Sequence, residues 1–346
     1  MQPETAEPGA ARPDIGSVAI QDVVALKEMT PLERLVASQA FWVTIALIVI
    51  CVLMSYLQPA AFATTENLYN ITRNFAFIGI MAIGMTAVII TGGIDLSVGS
   101  LMGLVGVVCG VVLEGGYPWW LAVLAGLVAG GLAGAVNGSL IAYVGLSPFV
   151  VTLGMLSLAR SLAVVLSQNR MIYNLGPGGP SFKIWGSGQL LGLANPVWFM
   201  VAIAIILGIV LRVTRWGRHL YAVGGNEQAA RLTGVPVDRV KLQAYILSGL
   251  TAAVSAILIV GWQGSAINAL GTGYELRVIA STVIGGANLI GGEGGTYGAV
   301  IGAALIEVIR NSLLMAGIDS NWQGAFVGVF IVLAVLLEKL RGRRRG

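Results

Sequence analysis

Long apolar blocks recur along the chain, separated by short polar or glycine-rich breaks. Each block is close to the roughly 17 to 25 residues that a helix needs to cross a bilayer. We predict ten membrane-spanning helices at 41–57, 75–91, 98–113, 119–137, 147–167, 196–212, 242–262, 274–290, 294–316 and 322–338. The third and eighth adjoin Gly-Gly breaks, and the eighth contains Glu275 and Arg277. The predicted fold class is an all-α integral membrane protein with helices broken at Gly-Gly motifs.

The two ends of the chain are polar. Residues 1–39 contain four prolines and no apolar run of the length that a signal peptide needs, so we predict an uncleaved cytoplasmic tail. The predicted transmembrane domain covers residues 40–340, and residues 341–346 form a basic tail. Within the transmembrane domain, residues 212–241 form a long charged loop.

The distribution of Lys and Arg predicts the orientation, because cytoplasmic segments of membrane proteins carry an excess of both. With both termini inside, the cytoplasmic segments hold three basic residues in the N-terminal tail, six in the loop and five near the C-terminus. Only Arg73, Arg170 and Lys183 fall in the predicted outer segments. An even number of spans also places both termini on one side, in agreement with this bias.

Composition supports a membrane protein and excludes several other classes. Mean hydropathy is +0.85, and 10% of residues are charged, against about 25% in soluble domains. The net charge of +4 therefore does not indicate nucleic-acid binding. Cys51 and Cys109 lie in apolar runs, without the spacing of a metal site. The sequence contains no phosphate-binding loop and no hydrolase motif, so we expect no cofactor or catalytic residue on this chain.

A short helix is predicted inside the charged loop. Gly224 and Gly225 break what precedes it, Asn226 can cap its first turn, and Glu227 places negative charge at its positive end. Gly234 follows as a stop signal. About two turns of helix are too short to be stable alone, so docking on another surface is one interpretation. A loop helix without any partner is the other.

Two distant stretches resemble each other. Residues 90–96 read ITGGIDL and residues 283–289 read VIGGANL, and each precedes a helix with glycines at spacing four. By the span count the two copies run parallel. They mark two broken helices, and broken helices in transporters often lie at the solute pathway.

Asp95 follows the first of these breaks. It can cap the next helix through the amides of Ser97 and Val98, or it can line the passage, because polar groups at membrane depth usually face a cavity. The candidate pathway or gate residues share a position at a break or a polar character within a span, and they are Gly92, Gly93, Asp95, Ser97, Asn137, Gly285, Gly286, Asn288 and Asn311.

Other polar side chains have two interpretations each. Glu275 with Arg277, and Glu307 with Arg310, are interpreted as ion pairs in preference to solute contacts. Asn74 and Gln263, among other residues, can bind a polyhydroxylated solute or simply join helices.

Four stretches together resemble a known family. GRHLYAVGGNEQAARLTGVPV in the loop is similar to the cytoplasmic coupling loop of permease subunits of ATP-binding-cassette importers, in the branch that includes ribose, xylose and arabinose permeases. GGIDLSVGS at 92–100, the segment 275–303 and the segment 322–345 resemble the same family in the same order. The resemblance covers most of the chain from about residue 75 onward.

The resemblance implies a bacterial inner-membrane permease that imports a monosaccharide or similar polyol. It implies as partners a second permease chain, expected to be identical, ATPase subunits that carry ATP and Mg, a periplasmic binding protein and membrane lipid. The residues that it implies for ATPase coupling are Gly225, Asn226, Glu227, Ala229, Ala230, Arg231, Leu232 and Gly234.

Two alternatives stay open at the level of sequence. An ion-coupled secondary transporter would need a carboxylate relay, for which Asp95, Glu275 and Glu307 are the candidates. The same importer class could instead carry a nucleoside or an autoinducer.

Overall fold

The computed structural model describes residues 38–318 continuously, together with positions 36, 322, 324, 325, 328 and 329. Nearly all of the predicted N-terminal tail, the predicted tenth span and the basic C-terminal tail lie outside the described residues. The described elements, in chain order, are α1 Gln39–Leu57, α2 Thr65–Ile90, α3 Val98–Glu114, α4 Trp119–Ala142, α5 Pro148–Leu166, α6 Gly179–Ser187, β1 Gln189–Leu190, β2 Leu193–Ala194, α7 Asn195–Val213, α8 Arg215–Gly225, α9 Glu227–Leu232, α10 Val237–Gln263, α11 Tyr274–Ile284 and α12 Thr296–Met315.

Seven described helices are long and apolar enough to cross a membrane: α1, α2, α4, α5, α7, α10 and α12. Helix α3 is apolar but slightly shorter, with 17 residues. These eight helices lie where eight of the predicted spans were placed. Helix α2 begins at Thr65, before its predicted start, so Arg73 lies within the helix and not in an outer segment.

The predicted eighth span, 274–290, is wrong as a continuous membrane-crossing helix. Helix α11 has only 11 residues, which at 1.5 Å per residue gives about 16 Å, roughly half of the hydrocarbon core. It ends because Gly286 adopts a left-handed φ of 101°, which is outside the helical region. The remainder of the predicted span is the loop between α11 and α12.

Helices α2 and α10 form the centre of the packing. Buried positions make up 83% of the most apolar window of α2 and 78% of that of α10, against 11% in α1. Helix α10 packs on α2, α3 and α4. Its approach to α4 is close because Gly130 lies against the backbone of Gly249, where a side chain would collide.

The irregular stretch 264–273 leads into α11 alongside α3. A Cβ at Gly103 of α3 would lie 2.8 Å from the carbonyl oxygen of Asn268, so glycine is what makes room for this backbone. Arg160 of α5 donates to the carbonyl oxygens of Asn268 (2.6 Å) and Leu270 (2.9 Å). Such contacts satisfy backbone groups that have no helical partner, which is how irregular chain persists at membrane depth.

Candidate functional site

Helices α8 and α9 occupy the charged loop. Helix α8 continues through Gly225, so the predicted break at Gly224 and Gly225 is corrected to Asn226, whose backbone is extended. Asn226 caps α9 as the sequence predicts, because its Oδ1 accepts a hydrogen bond from the amide of Ala229 at 2.9 Å. Gly234, at φ 83°, lies just past the end of the helix.

Ion pairs fasten α9 to the start of α10. Arg231 donates to Asp238 at 2.8 Å and to Glu227 at 3.3 Å, and Lys241 donates to Glu227 at 2.7 Å. The hydrogen bond from Lys241, followed by the interactions with Arg231, lowers the pKa of the Glu227 carboxyl below its ordinary value. Helix α9 and the first turns of α10 are therefore linked by charge as well as by the chain.

The two faces of α9 differ in what they contact. Ala230 is buried against its own chain, with 4% of its surface exposed, whereas Leu232 is 89% exposed. Gly225, Asn226, Ala229, Arg231 and Gly234 are also exposed. Leu232 is therefore the apolar side chain that α9 presents outward, on the face opposite Ala230.

The end of α8 meets two other segments through backbone alone. The amide of Gly292 donates to the carbonyl oxygen of Ile90, the last residue of α2, at 2.9 Å. A side chain on Gly224 would collide with that same carbonyl, and a Cβ on Gly291 would lie 2.9 Å from the Gly224 oxygen. We call Ile90, Gly92, Gly224, Gly291 and Gly292 the glycine junction. It joins the charged loop directly to the breaks that follow α2 and α11.

A side chain adds a second tie between the charged loop and the α11–α12 loop. The hydroxyl of Tyr221, on α8, donates to the carbonyl oxygen of Gly294 at 2.8 Å. Helix α8 therefore contacts the α11–α12 loop at two points.

The two Gly-Gly motifs end their helices in the same way. The amides of Gly92 and Gly93 donate to carbonyl groups three and five residues earlier, at 2.8 and 3.1 Å. Those of Gly286 and Ala287 do the same at 2.9 and 3.1 Å. This is the left-handed C-cap, which favours glycine. The structural correspondence pairs Gly92 with Gly286, one residue away from the sequence match, which pairs Gly92 with Gly285.

Asp95 joins the first break to two neighbouring helices. It is fully buried and accepts hydrogen bonds from the amide (2.9 Å) and hydroxyl (2.6 Å) of Ser97 and from the hydroxyl of Ser248 on α10 (2.8 Å). Asn137 of α4 donates to the Ser97 hydroxyl at 3.0 Å. The sequence predicts that the amides of Ser97 and Val98 both donate to Asp95. Among the described hydrogen bonds, the Ser97 amide does so and the Val98 amide does not. Asp95 thus holds the start of α3 against α4 and α10.

The remaining candidates lie elsewhere. Asn288 forms a turn within the α11–α12 loop, where its Oδ1 accepts from the amide of Ile290 at 2.9 Å. Asn311 of α12 exchanges hydrogen bonds with Asn67 of α2 at 2.8 and 3.2 Å. The structure therefore brings Asp95, Ser97 and Asn137 together but leaves Asn311 in a separate pair of amides.

Sequence reasoning missed the partners that complete these contacts: Tyr221, Gly224 as a junction residue, Ser248, Gly291 and Gly292. The sequence does carry a signal for the glycines, since the Gly-Gly doublets at 92–93, 224–225 and 291–292 all lie outside the apolar blocks. It carries none for Ser248, which is an ordinary small residue within an apolar span.

Comparison with known proteins places this arrangement in a family. Residues 67–335 match the family described as branched-chain amino acid transport system / permease component. The chain belongs to this permease family. The resemblance identified in the sequence is thereby confirmed. The chain is a transport subunit, and it is a multi-pass protein of the bacterial inner membrane.

Similar curated proteins include several permeases of known systems. The chain is 40% identical over 300 residues to the probable ABC transporter permease protein y4mJ of Sinorhizobium fredii, covering 86% of this chain and 89% of that protein. It is 40% identical over 296 residues to the ribose import permease protein RbsC of Escherichia coli, covering 85% and 92%. It is 32% identical over 295 residues to the D-allose transport system permease protein AlsC of Escherichia coli, covering 85% and 90%.

Proposed function

We propose that this permease is the membrane-spanning subunit of an ATP-driven importer for a monosaccharide or similar polyol. Relatives that match nearly their whole length are named for ribose import and D-allose transport, which supports this class of solute. The single structural observation that carries the mechanism is the glycine junction, which connects the charged loop to both helix breaks without an intervening side chain.

The proposed assembly contains two copies of this chain, ATPase subunits that bind ATP and Mg, and a periplasmic binding protein. The loop that carries α8 and α9, and both termini, face the cytoplasm. The Lys and Arg bias supports this orientation, since the loop alone holds six basic residues. The exposed apolar surfaces of α1, α4, α5 and α7 are available to lipid or to the second copy.

In the proposed cycle, α9 sits in a groove on the ATPase and moves when the ATPase closes on ATP. The Glu227 ion pairs carry the displacement into α10, and α8 carries it through the glycine junction into the ends of α2 and α11. The two helix breaks then shift together and change which side of the membrane the pathway faces. Such a cycle requires that ATPase contacts differ between two states, because a ligand shifts an equilibrium only by its differential affinity.

The ion-coupled alternative is not favoured by the family or by the described contacts. Glu307 is held by Arg310, with Nε and Oε2 2.8 Å apart, and Asp95 is held by hydroxyl groups. Glu275 accepts a hydrogen bond from the amide of Gly273 at 3.2 Å. The three carboxylates therefore have separate partners within the described part of the chain, and these contacts do not connect them into a relay.

The test compares two leucines whose side chains are almost equally exposed. Leu232 on α9 is 89% exposed, and Leu191 at the turn between β1 and β2 is 83% exposed, so neither contributes much to the packing of its own chain. The tagged permease would be purified in mild detergent with its partners, as wild type, Leu232→Asp and Leu191→Asp. The measurements are the amount of ATPase subunit retained and solute uptake in proteoliposomes.

We expect Leu232→Asp to lose the ATPase subunit and uptake, while Leu191→Asp retains the ATPase at wild-type yield. Both variants should match the wild type in expression and detergent elution profile, because neither side chain is buried. A permease that purifies without any ATPase and still transports, or a Leu232→Asp variant that keeps its ATPase and full uptake, would refute the proposed coupling surface.

A further inference from the structure

A cavity of about 220 Å³ lies between α2, α10, α11 and α12, on the side of the membrane opposite the charged loop. Its polar lining comes from Asn74, Gln263, Tyr274, Arg277, Glu307 and Arg310. Gln263 is exposed at the end of α10, whereas Asn74, Tyr274 and Arg277 are half-buried and Glu307 is buried. Among the lining residues Gln263 alone is exposed, so solvent reaches the cavity on its side.

Three of these side chains have unused hydrogen-bonding capacity. Within the described residues, no hydrogen bond is formed by the amides of Asn74 and Gln263 or by the guanidinium group of Arg277. Arg277 instead lies over the Tyr274 ring, 5.4 Å from its centroid. None of their polar atoms is among the fully buried atoms without a partner in the described structure, so water reaches these groups and the hydroxyls of a solute can take the place of that water. Their convergence on one cavity indicates a site built to hold polar ligand atoms.

Side-chain contacts position the walls of the cavity. Glu307 is fixed by two hydrogen bonds from Arg310, and Trp262 is held between Arg73, 4.2 Å from its ring centroid, and Phe77 at 6.0 Å. Leu270, from the irregular stretch before α11, forms part of the lining. Transporters commonly place solute sites beside such discontinuous helices.

The chemistry of the lining favours a small neutral polyol. Planar amide and guanidinium groups each present two polar atoms side by side, which suits pairs of neighbouring hydroxyls. Arg310 neutralises the Glu307 carboxylate, so within the described ion pairs Arg277 is the one unpaired charge among the lining residues. It disfavours a cation, and its N–H groups can donate to the hydroxyl oxygens of a neutral solute. The volume is below the roughly 300 to 1,000 Å³ of pockets for drug-sized ligands, which suits a single monosaccharide.

We propose that this cavity is a low-affinity monosaccharide site within a single permease chain, in which Asn74, Gln263 and Arg277 bind hydroxyl groups of the solute. The inference rests on the proposed import function and names a site for it. The site receives solute on the outer side, before the helix breaks at the glycine junction open toward the cytoplasm.

The experiment measures ligand protection, which does not depend on turnover. The permease complex carrying Gln263→Cys is placed in lipid nanodiscs and labelled with a charged, water-soluble methanethiosulfonate reagent. The native Cys109 is buried in α3, and Cys51 is half-buried on α1, so labelling of the permease without an introduced cysteine is measured and subtracted. Labelling rates are compared in the presence of D-ribose, D-allose, D-xylose, or sodium chloride of equal osmolarity. Gln189→Cys, an exposed position on β1 outside the cavity lining, is the matched control.

We expect at least one of the sugars to slow labelling at position 263 in a saturable manner, and none to slow it at position 189. Adding Asn74→Ala should raise the half-protecting sugar concentration by about tenfold, the effect of one lost hydrogen bond. Because Gln263→Cys removes one proposed binding group, the same labelling is repeated with Leu270→Cys, which lines the cavity and keeps all three groups. Absence of protection by all three sugars at both positions would overturn the site. Protection that Asn74→Ala leaves unchanged, or that also appears at position 189, would overturn it as well.

These outcomes are separable from failure of the proposed function. If the ATPase subunit does not purify with the permease, the import function fails whatever the labelling shows. If the ATPase is retained and Leu232→Asp releases it, the import function stands, and unprotected thiols at positions 263 and 270 then reject the sugar site alone.

Discussion

Gly292 and Ile90 are joined by a 2.9 Å hydrogen bond from the Gly292 amide to the Ile90 carbonyl oxygen. This bond links the loop after α11 to the last residue of α2. Gly224, one residue before the end of α8, packs on the same carbonyl oxygen. The end of α8, just before α9, is thus in backbone contact with the last residue of α2 and with the loop that follows α11.

Gly224→Ala should disrupt the glycine junction. The added methyl group would collide with the Ile90 carbonyl oxygen and with the Gly292 amide nitrogen, which are backbone atoms and cannot move as a side chain can. Overpacking of this kind costs about 1–3 kcal/mol. We expect a lower thermal aggregation temperature in detergent, and ATP hydrolysis that no longer accelerates when solute-loaded binding protein is added.

The neighbouring glycine provides the control for this variant. A Cβ on Gly225 would have no atom within 4 Å outside its immediate chain neighbours, so Gly225→Ala should keep the thermal stability of the wild type. Equal behaviour of the two alanine variants would show that the close contact at Gly224 has no mechanical role.

Much of the fold follows from sequence because bilayer thickness and helix geometry leave few choices. Eight described helices lie where apolar blocks of spanning length occur. The cap at Asn226 was also predictable, since it is a local contact between an amide side chain and a backbone group three residues away. Local rules of this kind need no knowledge of the tertiary structure.

The contacts that the sequence does not reveal are those between distant segments. Ser248 donates to Asp95 across 153 positions, and nothing in the local pattern around Ser248 marks it. The length of α11 was missed for a different reason. The predicted span continued to residue 290, whereas the left-handed backbone of Gly286 ends the helix at Ile284. The irregular course of residues 264–273 does depend on distant segments, since Arg160 and the glycines of α3 accommodate it.

Asp95→Ala should destabilise the permease more than Asp95→Asn. Alanine leaves the hydroxyl groups of Ser97 and Ser248 buried without an acceptor, and each such loss costs about 1–3 kcal/mol. Asparagine keeps one acceptor oxygen and the shape of the side chain. The measurement is the thermal aggregation temperature, with Glu114→Ala as a control, because the partly exposed pair of Glu114 and Arg170 should contribute less than about 1 kcal/mol.

A different result would assign Asp95 another role. If Asp95→Ala and Asp95→Asn were both as stable as the wild type but transported poorly, then the carboxylate would act on solute in the pathway. The hydrogen bonds that hold α3 to α10 would then be unimportant for stability.

Asn226→Ala should loosen α9 without unfolding the rest of the protein. Loss of a helix N-cap costs about 1 kcal/mol, which corresponds to roughly fivefold faster opening of the helix. Hydrogen exchange of the backbone amides in residues 229–232 measures this opening directly. Asn226→Asp should retain the protection, because aspartate also accepts from the Ala229 amide and adds favourable charge at the helix N-terminus. Unchanged exchange in Asn226→Ala would contradict the importance of the cap.

The Glu227 carboxyl should titrate below the ordinary value of 4.5, because Lys241 and Arg231 stabilise its charged form. A depressed pKa in the folded state means that these ion pairs favour the folded loop at pH values above 4.5, and that this contribution is lost as the pH falls through the lowered pKa. The effect should be modest and sensitive to salt, since the Glu227 side chain is 43% exposed.

Carbon-13 NMR of the Glu227 carboxyl, in selectively labelled permease, measures the midpoint. Lys241→Gln removes the hydrogen bond that contributes most to the shift, so we expect it to raise the midpoint toward 4.5. Arg239→Gln is the matched control, because Arg239 is an exposed cation on the same turn of α10 and forms none of the described ion pairs with Glu227. A similar rise in both variants would mean that general positive charge of the loop, and not the contact with Lys241, lowers the pKa of Glu227.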